Sequence, residues 1–300
     1  MKGICGKLLE VDLTSGKANT LPVKTELYEK YLGGRGLGIR LLYDMLPPKT
    51  DPLSPENLLF FLTGPLTGTY VTGSSKFVVV TKSPLTHGWC DSYSSGRISV
   101  ELKKAGYDGL VIRGKSNHPC YLRMDRKDLE IRDARLLWGK DSFETERILK
   151  EMEKNPSVGV SSIGPAGEKL VKFACINSDL YRQAGRGGVG AVMGSKNLKA
   201  IVVKGDKSVE TFDRSAIFDL NRKNYRVALK SPVAQARMKY GTPLTLNVTH
   251  VGGILPTMNF RFGTWEKALE KIDSVGVYKS LKRHKSCLSC FVHCSLVTEV

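Results

Sequence analysis

The sequence predicts an α+β protein, in which a β-rich, internally duplicated cofactor-binding domain is followed by the start of a mostly helical domain. Strand-like runs dominate the first two hundred residues, and two segments of that region follow one pattern. After about residue 209, stretches with apolar residues at helical spacing replace the strands. We therefore expect a β-rich domain at 1–208 and a partial helical domain at 209–300.

The first elements are a predicted hairpin and a helical region. The segments "KLLEVDL" and "KANTLPV" flank the turn residues Thr14–Lys17, which indicates two antiparallel strands. The next segment, "TELYEKYLGGRGLGIRLLYDML", has apolar residues at helical spacing but contains Gly33, Gly34, Gly36 and Gly38. Because glycine costs up to about 1 kcal/mol at an interior helical position, we expect two helices joined by a Gly-rich loop.

An internal repeat is the most informative feature of the first domain. Residues 59–115 and 158–206 each contain a strand into Gly-Pro, a Lys-Phe strand, a Gly-rich turn with arginine, a helix-compatible stretch and an apolar strand. Two copies of one supersecondary unit predict two similar sites or one pseudo-symmetric site. The alternative is a duplicated scaffold whose turn glycines bind nothing.

The second Gly-rich turn favours a ligand. The stretch "AGRGGVGAVMGS" contains Gly185, Gly187, Gly188 and Gly190. Glycines allow close approach of the backbone to a ligand, and N–H groups at the start of a helix favour phosphate. Arg182 and Arg186 flank this turn, and their guanidinium groups suit forked hydrogen bonds to phosphate oxygens.

Composition limits the class of protein. The N-terminus lacks the apolar stretch of a signal peptide, and the longest apolar runs are far shorter than the roughly 18 residues of a membrane span. We therefore expect a cytoplasmic protein. The net charge of +17 leaves nucleic-acid binding as an alternative, although the lysines and arginines are dispersed and only 8% of residues are aromatic. A phosphate-bearing cofactor or an acidic partner explains a basic chain equally well.

Three of the seven cysteines form a C-x2-C-x3-C motif: Cys287, Cys290 and Cys294. An odd cysteine count with one tight cluster favours metal binding over disulfides. The spacing favours a [4Fe–4S] cluster, which takes four thiolates, so a fourth ligand must be distant in sequence or outside this chain. Zinc held by Cys287, Cys290 and either His293 or Cys294 remains open.

The motifs together resemble the aldehyde ferredoxin oxidoreductase family of tungsten enzymes. The resemblance is carried by "LGGRGLG", "DPLSPENLL", "GPLTGT", "TKSPLT", "ELKKAGYDGLVIRGK", "SIGPAGE", "AGRGGVGAVMGSKNLKAI" and the cysteine motif. It covers essentially the whole chain, and the block Ala184–Ile201 is the most specific. Family members are longer, and this chain resembles their first domain and the opening of their second.

The resemblance implies tungsten, or molybdenum in some relatives, held by the dithiolene sulfurs of two pterins. It also implies a nearby [4Fe–4S] cluster and a magnesium ion that bridges the pterin phosphates. The activity implied is oxidation of a small aldehyde to a carboxylate, with ferredoxin as electron acceptor. A second implied partner is the missing C-terminal half or a partner chain, and a homodimer is possible. The alternative is a split, non-catalytic subunit that binds cofactor with a partner chain.

Site residues follow from the resemblance position by position. In the first repeat, Lys76 takes the place of a phosphate-contacting arginine and keeps the charge without the planar fork. Tyr93 takes a position whose backbone carbonyl binds magnesium, and Ser95 stands where the family usually has glycine. The departures from the family pattern thus cluster in the first repeat.

The second repeat keeps more of the family pattern. Arg182 matches the phosphate-contacting arginine, and Gln183 takes the second magnesium position. Ala184, Gly185, Arg186 and Gly187 belong to the family turn. The resemblance assigns three cluster ligands to Cys287, Cys290 and Cys294, and it places the fourth ligand and the acid/base residues beyond Val300. We therefore name no catalytic residue from the sequence.

Overall fold

The computed structural model describes residues 1–299 and divides the chain into two compact units. Unit 1 contains residues 1–70 and 74–212. Unit 2 contains residues 71–73 and the chain from Asp213 onward. Val300 lies outside the described residues. Unit 1 contains two mixed sheets with helices, and helices predominate in unit 2, so the predicted α+β class is confirmed.

The first sheet of unit 1 has six strands: β1 (Lys7–Asp12), β2 (Lys17–Pro22), β3 (Leu59–Thr63), β4 (Lys76–Lys82), β5 (Trp89–Ser95) and β6 (Gly109–Arg113). Their order across the sheet is β2-β1-β6-β3-β4-β5. The pair β1–β6 is parallel, and the other neighbours are antiparallel. The pairing of β1 with β2 confirms the hairpin predicted at the start of the chain.

The second sheet also has six strands: β7 (Cys120–Met124), β8 (Leu129–Asp133), β9 (Gly159–Ser162), β10 (Ile176–Ser178), β11 (Arg182–Ala184) and β12 (Leu198–Val203). The order β8-β7-β12-β9-β10-β11 reproduces that of the first sheet, and β7–β12 is again the parallel pair. The hairpins β1–β2 and β7–β8 therefore correspond as well, although they lie outside the two segments in which the sequence repeat was recognised.

The helices of unit 1 are α1 (Thr25–Tyr31), α2 (Gly34–Met45), α3 (Arg97–Lys104), α4 (Ser142–Met152), α5 (Pro165–Glu168) and α6 (Val189–Ser195), and Arg135–Leu137 forms a 3₁₀ turn. Helices α1 and α2 share an apolar cluster with one face of the first sheet. Helix α4 does the same for the second sheet. Helices α3 and α6 pack in the cluster that both sheets share. Unit 1 is therefore layered, with these two helices between the sheets.

The Gly-rich helical region differs from the expectation in one respect. Two helices form as expected, but the break between them is short, and Gly34, Gly36 and Gly38 lie inside α2. A Cβ atom at Gly38 would lie 2.6 Å from a methyl group of Leu62 and 2.9 Å from one of Val80. The close packing of α2 on the first sheet therefore requires glycine, and this tertiary contact outweighs the low helix propensity.

A buried polar cluster fixes the N-terminal segment of unit 1. Asp108 Oδ1 accepts a hydrogen bond from Lys103 Nζ at 2.5 Å, and its Oδ2 accepts one from the Tyr28 hydroxyl at 2.6 Å. The backbone N–H groups of Cys5 and Gly6 also donate to this carboxylate. One buried charge is thereby paired and solvated by protein groups.

Unit 2 contains five helices among its described residues: α7 (Arg214–Lys230), α8 (Pro232–Tyr240), α9 (Leu244–Val251), α10 (Glu266–Ile272) and α11 (Ser274–Lys279). A two-stranded antiparallel sheet follows, with β13 (Leu281–Lys285) and β14 (Ser295–Thr298). The side chains of Asp213, Ser231 and Asp273 cap the starts of α7, α8 and α11. Within residues 1–299, no helix is long and apolar enough to cross a membrane.

Candidate cofactor site and cysteine loop

The edge strands β5 and β11 bring predicted residues of the two repeats together. Each is the outermost strand of its sheet, and the two strands contact each other. Tyr93 on β5 is 54% exposed, and Gln183 on β11 is also exposed. Lys76 pairs in register with Ser95 beside this contact. The two positions that the resemblance assigns to magnesium thus lie on two strands that meet.

The Gly-rich turn of the second repeat is fixed to the first repeat. The backbone N–H of Arg186 donates to Ser92 Oγ at 2.8 Å, and Ser83 Oγ donates to the carbonyl of Gly187 at 2.8 Å. Gly187 has φ of 72°, and a Cβ atom there would lie 2.7 Å from Cys90 Sγ. Both the backbone conformation and the available space therefore demand glycine at position 187.

A reciprocal contact fixes the turn of the first repeat to the second. The backbone N–H of Arg97 donates to Asp179 Oδ2 at 2.6 Å. Gly96, with φ of 143°, packs so closely that a Cβ atom would lie 3.2 Å from the same carboxylate oxygen. Each strand-to-helix turn is thus held by a hairpin of the other repeat.

Several groups at this junction are open to a ligand. Gly185 is exposed, and a Cβ atom there would meet no atom within 4 Å. Lys76 and Arg186 are exposed, Arg182 is half-buried with a polar partner, and Ser95 and Ala184 are buried. Accessible backbone flanked by cations suits an anionic ligand that lies against the turn. The residue types at this junction therefore suit the phosphate end of a pterin cofactor.

Arg35 adds a cation that motif reasoning did not assign to the site. Its guanidinium lies 3.8 Å from Asp91 Oδ2 on β5. Asp91 and Tyr93 are two residues apart on one strand and so share a face of the sheet. The motif "LGGRGLG", which contains Arg35, resembles the family pattern but does not by itself indicate a site residue. Arg35 reaches Asp91 because α2 packs on the neighbouring strands β3 and β4.

The N–H groups at the start of α6 are less accessible to a phosphate than the sequence predicts. All seven residues of the helix are buried, and the N–H of Gly190 donates to the carbonyl of Ala174 at 2.9 Å. A Cβ atom at Gly188 would lie 2.0 Å from the carbonyl oxygen of Lys172. The N–H of Gly190 is therefore already used. The accessible part of the turn is at 185–187.

Two lysines of the most specific motif block support the scaffold. Lys196 Nζ donates to the carbonyls of Pro55 and Gly114 at 3.1 and 3.2 Å, and burial lowers its pKa to about 8. Lys199 Nζ donates to the carbonyl of Lys140 at 2.7 Å and pairs with Glu168 at 2.5 Å. Basic side chains in a run near glycines suggest a phosphate site, but these two hold loops together.

Four cysteines lie outside the clustered motif, and burial raises the pKa of each thiol. For Cys90 and Cys120 the pKa rises to about 11. The pKa values of Cys5 and Cys175 are raised in the same direction. Because metals bind the thiolate, a raised pKa makes these four thiols poor ligands in this state.

The three clustered cysteines lie on the loop between β13 and β14, and all are half-buried. The N–H of Cys290 donates to the carbonyl of Cys287 at 3.1 Å, and the N–H of Thr242 donates to that of Cys294 at 3.1 Å. The thiols suit an iron–sulfur cluster in chemistry. Within residues 1–299, however, no three His, Cys, Asp or Glu side chains converge as a metal site.

One form of the zinc alternative uses His293, rather than Cys294, as the third ligand. Its Nδ1 lies 3.1 Å from Ser286 Oγ, and its backbone has φ of 52°. Its carbonyl oxygen lies 3.2 Å from Nδ1 of His284. Ser286 thus contacts the ring of His293, and His284 on β13 contacts its backbone.

Comparison with protein-family models gives two matches. Residues 8–205 match the aldehyde ferredoxin oxidoreductase N-terminal domain, and residues 219–300 match domains 2 and 3 of the same family. Together these matches cover nearly the whole chain.

Curated proteins of known name are similar to this chain over most or all of its length. The tungsten-containing aldehyde ferredoxin oxidoreductase of Pyrococcus abyssi is 45% identical over 99% of this chain and 49% of its own length. That of Pyrococcus furiosus is 42% identical over 100% and 50%. An aliphatic sulfonate oxidoreductase, WOR-like subunit, of Pyrococcus furiosus is 43% identical over 74% of this chain and 38% of its own length. The chain thus spans about half the length of the aldehyde ferredoxin oxidoreductases it matches.

A solved structure has the same fold. The active site complex BamBC of benzoyl coenzyme A reductase, bound to 1,5-dienoyl-CoA, superposes with a TM-score of 0.85 at 33% identity. The superposition covers 100% of this chain and 48% of that chain.

Proposed function

This chain belongs to the aldehyde ferredoxin oxidoreductase family, and on that premise we propose that it is the cofactor-binding portion of a tungsten–pterin oxidoreductase. The complete protein oxidises small aldehydes to carboxylic acids and passes the electrons to ferredoxin. The curated relatives are named as tungsten-containing aldehyde ferredoxin oxidoreductases, which supports this assignment.

The observation that carries the proposal is the meeting of strands β5 and β11. Two sheets of identical strand order place one edge strand each at this junction, and each turn is held by the other repeat. Two pterins related by the same approximate symmetry suit such a scaffold. Lys76 and Arg182 would neutralise one phosphate each, and the carbonyls of Tyr93 and Gln183 would hold the magnesium ion between them.

The remaining site residues shape the surface. Gly185 would let a cofactor lie against the backbone, and Arg186 would add charge beside it. The bound cofactor would supply the two-electron chemistry, and this chain would bind and orient it while excluding water from the packed junction. Cys287, Cys290 and Cys294 would contribute three thiolates to a [4Fe–4S] cluster, and a fourth would come from polypeptide outside this chain.

The test uses the complete gene product with any chain that co-purifies, isolated without oxygen from tungstate-grown cells. We expect stoichiometric tungsten and iron, and aldehyde-dependent reduction of a viologen dye and then of ferredoxin. An aliphatic sulfonate belongs in the substrate panel because one relative acts on that class. Absence of both metals would contradict the proposal, and growth on molybdate would distinguish the two metals.

The split-subunit alternative has one specific observation in its favour, because a relative is named as a subunit. It predicts that a second polypeptide co-purifies and supplies a cysteine to the iron–sulfur site. A single reading frame of about the relatives' length would contradict it. The nucleic-acid alternative predicts retention on DNA that falls steeply with salt, and no retention at low salt would remove it.

A further inference from the structure

The turn between β10 and β11 has an unfavourable backbone that other parts of unit 1 must hold. Asp179 and Leu180 have φ values of 48° and 64°, in the left-handed region. This region costs a residue other than glycine about 1–2 kcal/mol. The N–H of Tyr181 donates to the carbonyl of Asp179 at 2.7 Å, which closes the turn tightly. Contacts from outside the turn must compensate for this cost.

One such contact comes from α4, which packs on the same sheet. Glu146 on α4 is buried, and its Oε2 accepts the N–H of Leu180 at 2.9 Å. Its Oε1 pairs with Lys150 Nζ at 2.5 Å, one helical turn away. The turn is thus anchored on its own sheet by a paired and buried carboxylate.

Asp179 makes the opposite contact, toward the first repeat. It accepts the N–H of Arg97, the first residue of α3, whose preceding residue is Gly96 and has no side chain to cap the helix. A carboxylate at a helix start also interacts favourably with the helix dipole. A residue of the second repeat therefore provides the N-terminal cap of a helix in the first.

The two residues of this contact lie close in sequence to predicted cofactor residues, one in each repeat. Ser95 precedes Gly96 directly, and Arg182 is three residues after Asp179. The reciprocal junction uses the neutral hydroxyls of Ser83 and Ser92. We propose that Asp179 is a positioning residue whose carboxylate locks the two turns together and so sets the spacing of Ser95 and Arg182. The ligand that these turns would hold is the cofactor of the proposed function, and this part of the inference rests on that function. The hydrogen bond between Asp179 and Arg97 involves only residues of this chain.

The test compares three variants of the complete protein. Asp179→Ala removes the acceptor, Asp179→Asn keeps an acceptor oxygen without charge, and Asp179→Glu keeps the charge but displaces it by one methylene group. Asp213→Ala is the matched control, because Asp213 caps its own helix by accepting the N–H of Ala216 at 3.0 Å. The Asn and Glu variants keep the test decisive where the Ala variant does not fold.

The first measurement is amide hydrogen exchange of cofactor-free protein. In Asp179→Ala we expect exchange at Arg97 and in residues 182–187 to accelerate about tenfold or more, because a charge-assisted hydrogen bond is lost. Asp179→Glu should accelerate exchange in the same segments, Asp179→Asn should do so less, and Asp213→Ala should leave them unchanged. Unchanged exchange at 182–187 in both the Ala and Glu variants would overturn the proposal.

The second measurement is tungsten per folded protein, taken at a temperature where all variants are folded. We expect the tungsten content to fall several-fold in Asp179→Ala and Asp179→Glu and to fall less in Asp179→Asn. Asp213→Ala should keep the wild-type tungsten content. Accelerated exchange with wild-type tungsten content would overturn the positioning role. If wild-type protein contains neither tungsten nor iron, the proposed function fails, and hydrogen exchange alone decides whether the lock exists.

Discussion

Asp108 and Lys103 form an ion pair from which water is almost completely excluded, with side chains 3% and 0% exposed. Asp108→Asn would leave the ammonium buried without its counter-charge, so we expect a loss of about 3–5 kcal/mol in the free energy of unfolding. Urea denaturation of the complete protein measures it. The control is Glu151→Gln, which breaks the exposed pair with Arg147 and should cost less than about 1 kcal/mol. Equal losses in the two variants would contradict this account.

Two neighbouring glycines should respond differently to the same change. Gly187→Ala forces a methyl group to within 2.7 Å of Cys90 Sγ at a positive φ, so we expect loss of stability by more than about 1 kcal/mol. Gly185→Ala adds a methyl group in open space, so the protein should keep its stability. On the proposed function, Gly185→Ala should nevertheless lower tungsten content. Thermal denaturation and metal analysis separate the two effects, and a stable Gly187→Ala variant would argue against the packing described.

Lys196 should make stability depend on alkaline pH. Burial lowers its pKa from 10.5 to about 8, so between these values the unfolded chain holds a proton that the folded chain has lost. Stability from this group therefore rises as the pH increases through this window, by up to about 3 kcal/mol. Lys196→Met should remove that rise, and Lys17→Met, at an exposed strand position, should keep it. Urea midpoints across the window measure the difference, and parallel pH profiles for wild type and Lys196→Met would refute it.

The cysteine loop gives a prediction about iron. Replacing Cys287, Cys290 or Cys294 by serine should each lower iron per protein and weaken the visible absorption of an iron–sulfur centre, because a thiolate ligand is lost. Cys175→Ser is the control, since Cys175 is also half-buried but lies in unit 1. Zinc in stoichiometric amount with no iron would instead support the zinc alternative. Unchanged iron in all three variants would rule out the loop as its ligand.

Local patterns predicted the fold class and the first hairpin because alternation and turn residues are visible within a few positions. They misplaced the glycines of α2, whose helical conformation depends on Leu62 and Val80 in distant strands. They also gave no sign of the parallel pairing of β1 with β6, since its partners are about a hundred residues apart.

The candidate site was predictable only in part. The family resemblance assigned the residues on β5 and β11, but neither it nor the motifs indicated the hydrogen bonds from Arg186 to Ser92 and from Arg97 to Asp179. Such bonds depend on which sheet edges meet, and no spacing along the chain records that. The roles assigned to the site residues remain predictions.

The parallel pairs have a consequence for how the chain acquires its structure during synthesis. Every strand of the first sheet lies within residues 7–113, and every strand of the second within 120–203. The last strand of each sheet is an interior one, because β6 pairs with β1 and β3, and β12 pairs with β7 and β9. Neither sheet can therefore close until its whole segment is available. We infer two successive closing steps as the chain emerges from the ribosome, with the junction of β5 and β11 assembled only at the second.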